Sequence, residues 1–216
     1  MELYDAMRTL RAVRRLRPDP IPNDVLDRVL EAATWAPTGG NVQPWRMVVV
    51  TNPDLQRQLG DLYRGEWDRY LGDRDAGLSR FEGEDRAQRE RTLAAGDYLG
   101  AHWYEAPATL VFCFNPGQMA ITDAGLDRPS VVGGGSVYTA VQNAMLAARA
   151  EGLGCVLTTL LCYREEEVRA LLDMPADWYT CAHVPLGYPV GRGHGSIARL
   201  PVGDLAYADR WGSSYA

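Results

Sequence analysis

The ten residues Ala36-Pro-Thr-Gly-Gly-Asn-Val-Gln-Pro-Trp45 run almost directly into the apolar stretch Met47-Val-Val-Val50. Prolines near both ends and two glycines between them cannot extend a helix, so the backbone must turn and expose its amides. Thr38, Asn41 and Gln43 add side-chain donors and acceptors to the same short loop. Between a helix and a buried strand, such a loop suits close contact with a flat, polar-edged ligand. An ordinary helix–strand connection is the alternative. Upstream, Arg11, Arg14, Arg15 and Arg17 crowd the end of a segment whose Leu3, Met7 and Leu10 recur at helical spacing. Guanidiniums so close repel one another unless solvent or an anion separates them. A phosphate would do so, each charge-assisted bond contributing roughly 1.5–3 kcal/mol. A solvated basic patch is the competing reading.

Arginine-rich segment, short linker, helix, glycine-containing loop and strand, in that order, resemble the nitroreductase family of FMN-dependent oxidoreductases. The family's Arg-Ser-x-Arg pattern, followed by an aromatic residue and a proline-rich linker, is similar to Arg11-Ala-Val-Arg14 with Arg17-Pro-Asp-Pro-Ile-Pro22. Its Ala-Pro-Ser-x-x-Asn-x-Gln-Pro-Trp loop matches residues 36 to 45 nearly position for position. The departures are Ala12 where serine is usual and Leu16 where phenylalanine is usual. Ala12 leaves only its backbone amide for a flavin phosphate.

The resemblance implies an α+β fold: a mixed sheet of four or five strands flanked by helices, in an intertwined homodimer with FMN at the interface. It implies phosphate contacts from Arg11, Ala12 and Arg14, and from Arg199 in the Arg-x-Pro element Arg199-Leu-Pro201. It places Pro37, Thr38, Gly39, Asn41 and Gln43 on the ribityl chain and the pyrimidine side of the ring. Thr158, Thr159 and Leu160 resemble the segment that passes the ring near N5. There a backbone N–H would stabilise the reduced form, although hydroxyls that merely end a strand are the alternative. No Ser–His–Asp or paired-carboxylate arrangement stands out, so no catalytic side chain is expected and hydride chemistry falls to the cofactor. Gly133-Gly-Gly-Ser136 lacks the lysine of a P-loop and the spacing of a dinucleotide fingerprint, and reads as a flexible lead into a helix. Without a second nucleotide fold, NADH or NADPH would visit the flavin site and leave before the oxidant, a ping-pong order.

Glu66 and Tyr70 stand four apart and would share a helix face, which makes them substrate-contact candidates. A similar pair occurs in the lid of the iodotyrosine deiodinase branch, where a lysine completes a clamp on the amino-acid substrate. Gly100 holds that lysine's place here, so an exposed helical pair is the competing reading. Trp67, Tyr98, Trp103 and Tyr104 offer aromatic surfaces that either stack a planar substrate or pack.

The chain's 216 residues, 46% of them hydrophobic, suffice for one sizeable core. A single domain over 1–216 is expected, with a helical lid region at about 60–105 and a C-terminal arm at 189–216. That arm is glycine-rich, yet its Leu200, Val202, Leu205, Tyr207 and Trp211 need burial, as an arm around a partner would supply. No apolar run approaches the ~20 residues needed to span a bilayer, so a soluble cytoplasmic protein without membrane contact is expected. A net charge of −6 argues against nucleic-acid binding. Cys113, Cys155, Cys162 and Cys181 show no Cys-x-x-Cys spacing, and His102, His183 and His194 no ligand spacing, so no metal is expected. Buried free thiols in a reducing compartment and, for His183, a satisfied core histidine are the readings.

Apolar patterning predicts strands at Arg46–Thr51, Ala108–Phe114, Cys155–Leu161 and Cys181–Leu186. Helices are predicted over 2–12, after an Asn23-Asp24 cap, over Val137–Glu151 and over Arg164–Leu172. Residues 72 to 92 read as a charged, mobile helix. The expected activity is NAD(P)H-driven two-electron reduction of a nitroaromatic, a quinone or a related small planar acceptor. An FMN-dependent dehydrogenase, a reductive dehalogenase and a non-catalytic flavin-binding module are the alternatives.

Overall fold

The computed structural model describes residues 1–72, 78 and 82–215. The apolar runs form one sheet of β1 (Trp45–Val50), β2 (Ala108–Phe114), β3 (Gly154–Cys155) and β4 (Tyr179–Gly187), in the order β1-β2-β4-β3. Every pairing is antiparallel rather than mixed. The connections explain the difference. Two helices, α3 (Pro53–Leu71) and α4 (Gly83–His102), carry the chain out and back, so β2 starts from the end where β1 finished. β2 and β3 are joined by the long helix α5 (Gly135–Ala150) and do run the same way, but β4 lies between them.

Alternation along the strands divides the interior into two layers. Leu110 and Phe112 of β2 and Ala182, Val184 and Leu186 of β4 face Val29 and Ala33 of α2 (Asn23–Thr34) and Val137, Val141 and Ala144 of α5. Val111 and Cys113 face the other way, toward Leu59 and Tyr63 of α3, Leu99 of α4 and Trp103. Val168 of α6 (Glu165–Leu171) closes that second layer.

Several expected boundaries move for local reasons. The first helix, α1, covers only Leu3–Thr9, because Leu10 is already extended. The following segment then joins the sheet edge: the Val13 N–H donates to Cys155 O (2.9 Å), Arg17 N–H to Tyr188 O (2.7 Å) and Val190 N–H to Arg15 O (2.9 Å). Asn23 is the first residue of α2 rather than its cap; Pro22 precedes it and its carbonyl accepts from Val25 and Leu26. The predicted strand at Cys155–Leu161 keeps only its first residue in the ladder. Thr158 makes an isolated bridge to His183, and Leu160–Arg164 coils into a tight turn that leads into α6. Of the charged stretch 72–92, residues 73–77 and 79–81 lie outside the described residues, and 83–92 form the first half of α4.

The base of the α3–α4 pair is interlocked. The Trp67 indole lies on Gly96 and Gly100, its Nε1–H donates to Asp97 Oδ1 (2.9 Å), and a β-carbon at Gly96 would overlap the ring. Trp103 packs against Gly60 in the same manner. Beyond Pro189 the chain makes a short turn at Val202–Asp204 and a bridge between Tyr207 and Ser214, leaving Leu200, Val202, Leu205 and Trp211 exposed. Among the described residues no helix is long and apolar enough to cross a membrane.

Candidate functional site

The predicted site residues fall into two groups, one at each edge of the sheet. β1 and β3 are separated by three inter-strand spacings, about 14 Å in all.

The first group is the loop ahead of β1. Gly40, Asn41 and Gln43 all adopt left-handed backbone, with φ of 58°, 54° and 52°. Glycine tolerates this conformation freely, whereas Asn and Gln are held in it at some cost. The hold is local: Gln43 N–H donates to Thr38 Oγ1 (3.1 Å), and Gln43 Nε2 donates to Asn41 Oδ1 (3.2 Å) and Asn41 O (3.2 Å). The loop is also pinned to α5, since Gly39 N–H donates to Ser136 Oγ (3.3 Å) and Thr139 Oγ1 to Pro37 O (3.4 Å). Pro37, Gly134, Gly135, Tyr138 and Thr139 line an open depression of about 770 Å³ beside it. Gly39, Gly40, Asn41 and Gln43 are themselves exposed.

The second group surrounds the end of β3. Of the four clustered arginines, Arg15 stacks on Tyr98, and Arg17 stacks on Tyr188 and pairs with Asp19 (3.3 Å). Arg11 donates through Nε to Gly193 O (2.6 Å), and the charge of Arg14 acts on the Tyr63 phenol. Among the described residues neither Arg11 nor Arg14 has a carboxylate partner. The exposed Ala12 sits between them, one residue before the backbone bond from Val13 to Cys155. Thr158 is buried, its N–H and C=O both bonded to His183 (3.0 and 2.9 Å), and its Oγ1 accepts from Leu160 N–H (3.4 Å). Thr159 is exposed at the apex of this turn. Arg199 bonds the carbonyl of its neighbour Ala198, and no described contact joins it to Arg11 or Arg14.

Glu66 and Tyr70 part company. Tyr70 is exposed, whereas the Glu66 side chain is only 6% exposed, with Oε1 3.6 Å from Arg164 and Oε2 3.6 Å from Arg69. Glu66 is therefore no part of an exposed pair. It links α3 to the turn that follows Thr159. Trp67 and Trp103 pack against glycines, Tyr98 bonds Glu105 (2.7 Å), and Tyr104 is exposed.

Two residues with no assigned role stand behind the second group. Tyr63, 2% exposed, packs against Trp103 at 4.7 Å between ring centroids. Burial pushes its phenol pKa up, while the Thr158 hydroxyl and Arg14 oppose the rise. The signal for it lay in spacing, since Tyr63 is one helical turn before Glu66. His183 is fully buried across the bridge from Thr158, as expected of a core histidine, but it is not satisfied. Both ring nitrogens lack a hydrogen-bond partner, and burial depresses its pKa to about 4. The four cysteines are free thiols; burial pushes Cys113 and Cys155 up to about 12. Among the described residues no group of three or more His, Cys, Asp or Glu side chains is arranged to hold a metal ion.

Residues 7–188 match the model of the Nitroreductase family. The chain is 31% identical over 192 residues to the NADH dehydrogenase of Thermus thermophilus, covering 89% of this chain and 88% of that one. It is 30% identical over 187 residues to the 5,6-dimethylbenzimidazole synthase of Rhodobacter capsulatus, covering 87% and 83%. Among solved structures, iodotyrosine deiodinase bound to FMN and 3-iodo-L-tyrosine shares the fold, with a TM-score of 0.69 and 24% identity over 93% of this chain and 96% of that one.

Proposed function

This chain belongs to the nitroreductase family, and from that premise we propose that it is an FMN-dependent oxidoreductase. FMN, when bound, would supply two-electron chemistry between NADH or NADPH and a nitroaromatic, a quinone or a related planar acceptor. The relatives support the cofactor, since one structure with this fold holds FMN. The donor set of this chain fits it independently.

The carrying observation is the pair Arg11 and Arg14. In a chain of net charge −6, other arginines have found carboxylates, among them Arg8, Arg17, Arg28 and Arg164, while these two have none among the described residues. Two guanidiniums without a carboxylate partner, Arg11 bonded only to Gly193 O, beside the exposed Ala12 suit a phosphomonoester. Arg199, exposed on the C-terminal segment, completes the set once that segment is seated. The turn at Thr158–Leu160 presents Thr159 toward the ring, and the loop from Pro37 to Gln43 contributes backbone and side-chain amides to its polar edge.

These two groups lie on opposite edges of the sheet, and they lean on opposite layers: the loop on α5, the Thr158 turn on α3. Within one chain three inter-strand spacings, about 14 Å, stand between the two groups, and no hydrogen bond among the described residues joins them. A symmetric homodimer removes the obstacle by setting the loop of one protomer against the Thr158 turn of its partner. The exposed Leu200, Val202, Leu205 and Trp211 of the arm favour the same assembly. With no second nucleotide site in the sequence, NAD(P)H and the acceptor take turns at one ring face. The dehalogenating alternative is disfavoured by Trp67, which lies over Gly100 where a substrate-clamping lysine would be needed.

The test is anaerobic mixing of FMN-loaded protein with NADH and with NADPH, followed by menadione. Bleaching of the flavin band, its return with menadione and parallel initial-velocity lines are the expected results. A flavin indifferent to both nucleotides would favour a dehydrogenase fed by organic substrate, and binding without turnover a storage module.

A further inference from the structure

The C-terminal segment leaves the body of the protein through a short clasp. Leu16 bridges Pro189, and Val190 N–H donates to Arg15 O (2.9 Å). Gly191 and Gly193 then take left-handed backbone, with φ of 70° and 61°, and a β-carbon at Gly193 would overlap Pro189. The turn brings His194 back onto the sheet edge. There it is buried, with Nε2 2.8 Å from the carbonyl of Leu153, the residue just before β3. A carbonyl only accepts, so the ring carries its proton on Nε2, and the buried Nδ1 has no hydrogen-bond partner. Burial, with the charges of Arg149 and Arg11 added, holds the imidazole below its ordinary pKa and keeps it neutral.

The residues on either side of His194 meet Arg11. Gly193 O accepts from Arg11 Nε (2.6 Å), and Gly195 lies against the same guanidinium. Gly195 N–H also donates to the carbonyl of Thr9 (3.4 Å), the last residue of α1, whose Oγ1 accepts from Arg149 Nε (3.0 Å). Beyond Gly195, hydrogen bonds among the described residues are local to the segment. His194 is therefore the last side chain that hydrogen-bonds the segment to the core, and Arg11 rests on the peptides it ties down.

We infer that His194 is a positioning residue: its bond to Leu153 O holds the Gly193 carbonyl against Arg11, and so fixes the guanidinium that meets the phosphate end of FMN. The inference rests on the flavin reading above, which makes Arg11 a phosphate contact. Its physical basis is preorganisation. Arg11 is exposed, and a free arginine there would have to be ordered at the moment of binding. Held through Nε by Gly193 O, it keeps its Nη groups available to an anion. His194 itself touches neither cofactor nor acceptor, and no proton transfer is assigned to it.

The experiment compares the affinities of FMN and of riboflavin, which lacks the phosphate. The proteins are wild type, His194→Leu, His194→Gln, His194→Asn, Arg11→Ala and the double variant of Arg11→Ala with His194→Leu. Loss of one hydrogen bond is worth roughly three- to tenfold. His194→Leu is therefore expected to weaken FMN by that factor and to leave riboflavin unchanged. His194→Gln keeps an N–H donor long enough to reach Leu153 O and should bind FMN as wild type does, whereas the shorter His194→Asn should not. In the Arg11→Ala background His194→Leu should have no further effect, because both changes act on one phosphate contact. Equal losses for FMN and riboflavin, unchanged FMN affinity in His194→Leu, or additive losses in the double variant would overturn the inference. Should His194→Leu fail to fold, equal FMN affinities in His194→Gln and His194→Asn would overturn it instead. A wild-type chain that binds no FMN would overturn the functional reading and this inference with it; FMN binding that ignores His194 would overturn this inference alone.

Discussion

At the β1 edge, Thr38 to Gln43 hold an open shape with three left-handed residues, and their polar groups bond mainly to one another. At the β3 edge, Thr158 is buried, has its backbone paired on both sides and accepts the Leu160 N–H through its hydroxyl. The first half is exposed and strained; the second is buried and braced. On the proposed reading, the difference separates a half that one chain braces from a half that awaits its partner. The braced half draws on the core, whereas the loop spends conformational strain to hold Gly40, Asn41 and Gln43 at the surface.

The largest effect should come from the buried half. His183 titrates at about 4 in the folded chain against an ordinary value near 6.5, so between these pH values the unfolded chain binds the extra proton. Its neutral burial is fully compatible with folding above pH 6.5, and stability is lost as pH falls toward 4, by up to about 3 kcal/mol. Denaturant unfolding at several pH values should show this loss in wild type and its absence in His183→Leu; equal acid slopes would contradict it. Next, Arg14→Ala should weaken FMN binding roughly ten- to a hundredfold, the worth of one charge-assisted bond. Arg17→Ala should change it little, because Arg17 is already committed to Asp19 and Tyr188. Calorimetric titration with FMN separates the two, and equal losses would mean the basic cluster acts only as a diffuse field. Smaller still, Gly40→Val forces a β-branched residue into φ near 58° and should cost about 1–2 kcal/mol. A thermal melt unchanged by it would show the loop relaxes freely, and the contrast between the two edges would dissolve.

Sequence patterning makes β2 and β4 legible because their apolar runs are buried on both faces, and β1 because its run Met47–Val50 touches both layers even at the sheet edge. The loop at 36–45 was equally plain, since its prolines and glycines leave the backbone few options. What stayed hidden has physical causes. Besides Leu59 and Leu99, the inner faces of α3 and α4 are built from Gln56, Gly60, Tyr63, Glu66, Gly96 and Gly100, which no hydropathy pattern marks as core. Their burial depends on Trp67 and Trp103 filling glycine seats from elsewhere in the chain. Thr158–Leu160 lay within an apolar run and read as strand, but a threonine hydroxyl captured the Leu160 N–H and turned the chain. The mixed sheet was misjudged because its parallel partners are not neighbours. For the four arginines, spacing reveals the cluster and not their separate contacts: Arg17 with Asp19 and Tyr188, Arg15 with Tyr98, and Arg11 with Gly193 O.

The most direct test of a site shared between two edges is subunit mixing. Arg14→Ala damages the braced half and Gly40→Val the loop half, so each homodimer alone should bind FMN weakly. After exchange at equal amounts, mixed dimers should carry one intact site each, and about a quarter of all sites should recover wild-type affinity. Recovery to that level supports assembly of the site across a two-fold axis. No recovery after verified exchange would place both halves in one chain and contradict the account.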